Sequence, residues 1–288
     1  MTAQPTRIVD AHVHLWDPAR TDWYPYLSHP PEGGGGDPSR MHRRFDIDLY
    51  RGETARWNVE KFINVAAATG RHSVDETVAL DHDAAAAGGP DAIIGGLPPT
   101  DSVAESLQLI EHQMTASRFR GVRPMGRLDL PLPAVEVLRG LAERNLVFEL
   151  MTHPDQLGTS AAGLAAVPDL TVVVEHTGWP RSDSAEEFAL WKSGIDALAA
   201  IGPQIVCKLS GLAMPFGSMQ LDALGPWLEY ALGAFGVDRC LFASNFPVDA
   251  VYGTFDELYT TFSEVTAGLD EASRSKLFAE NAERIYRI

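Results

Sequence analysis

Eight short apolar runs recur along this chain at fairly even spacing, and the gaps between most of them carry helical patterns. The runs cover residues 7–14, 61–67, 92–97, 119–123, 146–151, 170–176, 204–209 and 239–244. Most are nearly continuous in Val, Ile, Leu and Phe, as strands buried on both faces are. Between them, residues 73–87 are Ala-rich and stop at Gly88-Gly89-Pro90. Residues 102–117 place Val103, Leu107, Ile110 and Met114 on one helical face, and 133–144 open on proline and continue with Val135, Leu138, Leu141 and Ala142. Residues 185–200, 222–235, 255–266 and 270–286 follow the same logic. Strand and helix alternating eight times predict an α/β fold: a parallel sheet closed into one (β/α)8 TIM barrel spanning 1–288. The runner-up is an open doubly wound sheet, but no GxGxxG follows the first strand. The stretch 17–57 is long, aromatic and rich in Pro and Gly, with Gly33–Gly36 at its centre. It reads as an extended loop after strand 1, either a lid or a surface excursion.

Composition narrows the partners. The chain holds 23 Lys and Arg against 39 Asp and Glu, a net charge of −16, which argues against nucleic acid or an anionic membrane. No apolar run approaches the roughly 18 residues that span a bilayer, and no signal-peptide pattern opens the chain, so a cytoplasmic protein is expected. Cys207 and Cys240 fall inside predicted strands and read as small buried hydrophobes. The expected partner is a small molecule, and the expected state a monomer or homodimer.

Barrel chemistry gathers at the C-terminal ends of the strands. Strand 1 ends in Asp10-Ala11-His12-Val13-His14, where alternation puts His12 and His14 on one face. That pair is a chelate or a proton-handling site. Strand 4 ends in Arg123, followed by Arg127; strand 5 holds Glu149 and ends near His153. Strand 6 ends in Glu175-His176, strand 7 carries Lys208 and Ser210, and strand 8 ends in Ser244-Asn245 with Asp249 beyond. Lys208 either snorkels to the mouth or forms a buried pair with Glu149. His153 also reads as the start of a helix. Trp16 and Trp179 border the mouth, as pocket walls or rim packing. His29, His42, His72, His82 and His112 fall in loops or on helix faces and receive no role.

These residues carry a resemblance. Asp10-Ala11-His12-Val13-His14-Leu15-Trp16-Asp17-Pro18 resembles the opening of the amidohydrolase superfamily branch that holds L-fucono-, L-rhamnono- and 2-pyrone-4,6-dicarboxylate lactonases. Gly121-Val122-Arg123, the stretch from Phe148 to Leu157, Val174-Glu175-His176-Thr177-Gly178-Trp179-Pro180, Cys207-Lys208-Leu209-Ser210-Gly211-Leu212 and Asn281-Ala282-Glu283-Arg284-Ile285-Tyr286 are similar to its later motifs in order. The resemblance implies a distorted TIM barrel that hydrolyses small esters, often sugar-acid lactones, with or without a divalent metal. That branch usually presents an aspartate on strand 8, in Ser-Asp-Trp-Pro or similar, as general base. This chain reads Ser244-Asn245-Phe246-Pro247. An amide cannot take the proton, though it can hydrogen-bond a water, a carbonyl or a metal.

Two forms of the hydrolase reading follow. In one, His12, His14 and His176 hold a single Zn²⁺ and leave a position for water, which the metal acidifies. In the other, the same histidines polarise the carbonyl without metal. No organic cofactor is expected. In both, Asn245 joins the reacting group, and Arg123 with Arg127 clamps a substrate carboxylate. His153, Lys208 and Trp179 complete the binding set, and Asp249 is the nearest carboxylate that replaces the missing base. The alternatives are a decarboxylase of the same superfamily and a barrel that has lost hydrolysis through Asn245.

Overall fold

The computed structural model describes residues 4–28, 36–126, 128 and 131–288. Its eight strands are β1 Ile8–Val13, β2 Val59–Val65, β3 Ala92–Leu97, β4 Phe119–Pro124, β5 Val147–Leu150, β6 Val172–Val174, β7 Ile205–Leu209 and β8 Cys240–Phe242. Each pairs in parallel with the next, in sequence order. The helices are α1 Ile47–Thr54, α2 His72–Ala87, α3 Val103–Gln113, α4 Val135–Glu143, α5 Pro154–Leu164, α6 Ala185–Ala199, a short α7 Ala213–Phe216, α8 Leu221–Phe235, α9 Phe255–Val265, α10 Glu271–Ser275 and α11 Asn281–Tyr286. The expected (β/α)8 barrel is present.

The barrel closes through residues just beyond β8 rather than through β8 itself. Val13 and Phe246 form an isolated parallel bridge. His14 N donates to Phe246 O at 2.8 Å and Asn245 N to His12 O at 2.9 Å. Asp10 Oδ1 accepts from Ser244 N at 2.8 Å, and its other oxygen accepts from Tyr50 OH of α1 at 2.9 Å. Burial pushes the Asp10 carboxyl up to about 6.

Val9 and Ala11 of β1 pack in one cluster with Ile63, Ile94, Val147, Val173, Val206, Leu241 and the α11 residues Ile285 and Tyr286. These are alternate positions on successive strands, as a filled barrel requires. A register irregularity between Asp10 and Val13 breaks strict alternation in β1. It lets His12 face the site although Ala11 belongs to the interior layer.

In two segments the structure adds detail to the sequence pattern. The 270–286 pattern is not one helix: α10 passes through a π-helical turn, Lys276–Glu280, into α11. Asn281 at that junction donates to Val237 O at 2.7 Å and Cys240 O at 2.8 Å, tying it to the start of β8. The extended loop after strand 1, residues 17–57, carries structure of its own. It contains α1, bridges Trp16 to Phe45, and is pinned by Tyr24 OH to Glu76 at 2.8 Å and Arg40 Nη1 to Ala250 O and Gly253 O at 2.9 Å. His29 and Gly33–Gly35 lie outside the described residues, and so does Arg127. Cys207 and Cys240 are buried free thiols, both raised by burial, as expected of small hydrophobes. Among the described residues no helix is long and apolar enough to cross a membrane.

Candidate active site

A ladder of polar contacts climbs the inside of the barrel. At its foot Tyr286 OH donates to Glu149 Oε1 at 2.6 Å. Lys208 Nζ, completely buried, donates to both Glu149 oxygens at 2.8 and 2.6 Å. Lys208 Nζ also lies 3.3 Å from His12 Nδ1, and His12 Nε2 lies 3.1 Å from His14 Nε2. His14 Nδ1 ends the ladder 2.8 Å from the backbone carbonyl of Val65.

The end groups set the proton positions. A carbonyl only accepts, so His14 carries hydrogen on Nδ1 and presents a bare Nε2. His12 Nδ1 accepts from the Lys208 ammonium, so His12 donates through Nε2. Both rings are neutral: burial, then the Lys208 charge, holds His12 well below the usual range. Burial and Arg123 bring His14 down to about 3.

His176 approaches from the other side of His12, with ring centroids 4.6 Å apart. Its Nδ1 is 3.0 Å from Ser210 Oγ, which leaves Nε2 free. Burial lowers its pKa, with Arg123 second. The backbone here is strained, since His176, Thr177 and Trp179 all take left-handed φ values of 49°, 54° and 50°. Trp191 Nε1 donating to Thr177 O at 2.5 Å and Ser210 N donating to Thr177 Oγ1 at 3.3 Å hold the turn. This turn is why β6 stops at Val174, short of the apolar run that predicts it. Gly211 is needed beside it, because a Cβ there would come within 2.5 Å of the His176 ring.

Glu175 is the residue that motif reading left without a role. Its Oε2 accepts from Arg123 Nη1 at 3.3 Å, while its Oε1 is buried with no partner. Burial, with the Glu149 carboxylate beside it, raises its pKa; Glu149, paired with Lys208, is lowered. A charged residue inside a continuous apolar strand run was the available signal, and Asp10, Glu149 and Lys208 share it.

His12, Glu175 and His176 bring donor atoms within 4.8 Å of one another. This departs from the expected His12, His14 and His176 set, although His14 Nε2 adjoins His12 Nε2. The unpartnered Glu175 oxygen and the tied-back Nδ1 atoms of His14 and His176 fit a divalent cation, since metal-bound imidazoles are normally held by their second nitrogen.

On the seam side, Asn245 takes a left-handed φ of 58°. Its Nδ2 donates to Asp249 Oδ1 at 2.8 Å, and its Oδ1 is buried without a partner. Asp249 is completely buried, and burial pushes its carboxyl up to about 8. Asp249 therefore faces inward, but onto Asn245.

His14, Arg123, His176 and Asn245 line one cavity of about 420 Å³, walled by Trp16, Tyr26, Met125, Met151, Trp179 and Met214. His12, Lys208, Glu175 and Asp249 lie beneath this lining. Two expected substrate contacts are thus displaced. Lys208 does not snorkel: it is sealed under His12 against Glu149, because a buried ammonium needs its carboxylate. His153 donates from Nδ1 to Trp179 O at 3.0 Å, so it supports the wall and does not form it.

The amidohydrolase family model matches residues 9–288. The chain belongs to the amidohydrolase family. This amidohydrolase is an enzyme of that superfamily. It is 29% identical over 297 residues to an uncharacterized protein of Sinorhizobium fredii, covering 98% of each chain. It is 27% identical to the L-fucono-1,5-lactonase of Burkholderia ambifaria over 97% of this chain and 95% of the relative. A zinc-bound amidohydrolase from Burkholderia multivorans superimposes with a TM-score of 0.82 at 26% identity, over 98% of this chain and all of the other.

Proposed function

We propose that this amidohydrolase opens a lactone or related ester of a small acid by attack of water at the barrel mouth. The observation that carries the reading is the shared cavity: two neutral imidazoles, one arginine and one unpartnered amide oxygen converge on it. Arg123 holds the acid's carboxylate from the cavity floor, where its Nε is buried without a partner. Asn245 Oδ1 accepts a hydrogen bond from the attacking water and orients it; being an amide, it does not remove the proton. His176 Nε2 stands where the scissile carbonyl oxygen gains charge and donates there when Ser210 Oγ donates to its Nδ1; His14, with no hydrogen on Nε2, acts only as an acceptor, and Trp179, T-shaped on His176 at 4.5 Å, closes one side.

His12, Glu175 and His176, with His14 adjoining, are the residues that would hold one divalent cation, zinc in this reading. When bound, such a cation supplies a water of lowered pKa, which compensates for the missing strand-8 carboxylate. Lys208 fixes His12, and Asp249 fixes Asn245; both act as positioning residues.

The test is proton release followed with a pH indicator over a panel of lactones, beside aromatic acids followed by ultraviolet absorbance. Hydrolysis of lactones without loss of carbon dioxide from the acids is expected. Decarboxylation with no ester hydrolysis would replace this reading with a lyase.

A further inference from the structure

The walls of the cavity differ from its floor in a way that bears on the substrate. Trp16, Tyr26, Met125, Met151, Trp179 and Met214 present indole, phenol and thioether surfaces. Three of the walls' polar handles are already engaged with backbone carbonyls. Trp16 Nε1 donates to Arg43 O at 3.3 Å, Tyr26 OH to Ala67 O at 3.0 Å, and Thr69 Oγ1 to Trp23 O at 3.3 Å. Among the described residues, the buried, unpartnered polar atoms on the floor are Arg123 Nε and Asn245 Oδ1, beside the Nε2 atoms of His14 and His176 that the proposed reaction uses.

With the two imidazoles facing the scissile group and Asn245 facing the water, Arg123 remains for one carboxylate; these groups are taken up by one reacting ester, one water and one carboxylate. They do not suit a ring of hydroxyls, each of which loses affinity if it is buried without a partner. Thioether and aromatic walls instead favour flat or alkyl surface. We infer that the cavity selects a lactone or ester whose acid carries one carboxylate on a weakly polar body, aryl or alkyl, and discriminates against polyhydroxylated sugar-acid lactones. This rests on the hydrolase reading for its chemistry but not for its binding preference.

Two measurements separate those parts. The first compares kcat/KM for carboxylated aryl- and alkyl-substituted γ- and δ-lactones with that for aldono-1,4- and aldono-1,5-lactones. A preference of about 100-fold or more for the former is expected, following the discrimination that buried polar groups exert. The second measures calorimetric binding of unreactive acids, an arylacetate against an aldonate, with tighter binding of the arylacetate expected. Tighter aldonate binding, or faster aldonolactone turnover, overturns the inference. If no lactone is hydrolysed, the hydrolase reading fails while the binding order still decides this one. Met151→Gln, which adds a polar handle to the wall, should move the preference toward the aldonate; an equal change for both acids counts against the assignment of that wall.

Discussion

Asn245, which lines the cavity, donates its side-chain amide to Asp249 Oδ1 at 2.8 Å, and its carbonyl oxygen is left buried without a partner. The amide at the end of strand 8 is therefore matched to a carboxyl behind it. Asn245→Asp sets two buried carboxyls against each other, and both cannot ionise cheaply. The single variant should lose about 2–3 kcal/mol of stability and about 10-fold or more in kcat/KM. Swapping the pair, Asn245→Asp with Asp249→Asn, should restore most of the stability. Urea unfolding and steady-state kinetics on all three variants check this; faster hydrolysis by the single variant would show that the amide has no positive role.

Asp249 gives stability a pH dependence of known sign. Its carboxyl is raised by burial from 3.8 to about 8. A raised carboxyl contributes in full below about pH 4, and that contribution is lost as pH rises through about 8, at about 1.4 kcal/mol per unit of separation. The unfolding free energy of the wild type minus that of Asp249→Asn should therefore fall steadily from pH 5 to 8 and then level. A difference that stays flat would mean the carboxylate is ionised throughout.

Lys208 and Glu149 are a buried pair whose value lies in being complete. Lys208→Met leaves Glu149 charged beside Tyr286 and should cost about 3–5 kcal/mol. Adding Glu149→Leu removes the orphaned charge and should regain more than half of that. Equal losses in the single and double variants would show that packing, not charge pairing, sets the cost.

The donor cluster predicts metal binding that can be measured without turnover. Purified protein should bind about one equivalent of zinc, and zinc at 100 times Kd should add about 2.7 kcal/mol of stability. Glu175→Gln should weaken both effects. Less than about a tenth of an equivalent, with no shift between zinc and chelator, would sink the metal reading.

The eight strands were legible because most are almost unbroken apolar runs, as strands buried on both faces are. Placing His12, His14, Arg123, His176 and Asn245 at strand ends was legible for the same reason. The rest depends on contacts that no local pattern encodes. Glu175 pairs with Arg123 from another strand, and Lys208 meets a glutamate 59 positions away. The left-handed turn at His176 and Thr177 contains no glycine at those two positions, so nothing in the run from Leu170 announces where β6 ends. Asp249 follows a proline, and only the folded seam shows which way it points.

That seam has a consequence of its own. His12 and Asn245 come from opposite edges of the sheet, and the backbone bond between them joins its first and last strands. The two edges supply His14 and Asn245 to a centre whose Arg123 and His176 come from between them, so the set is complete only when the barrel is closed. Catalytic competence then requires a closed seam, and turnover by a refolding sample counts only molecules in which it has closed.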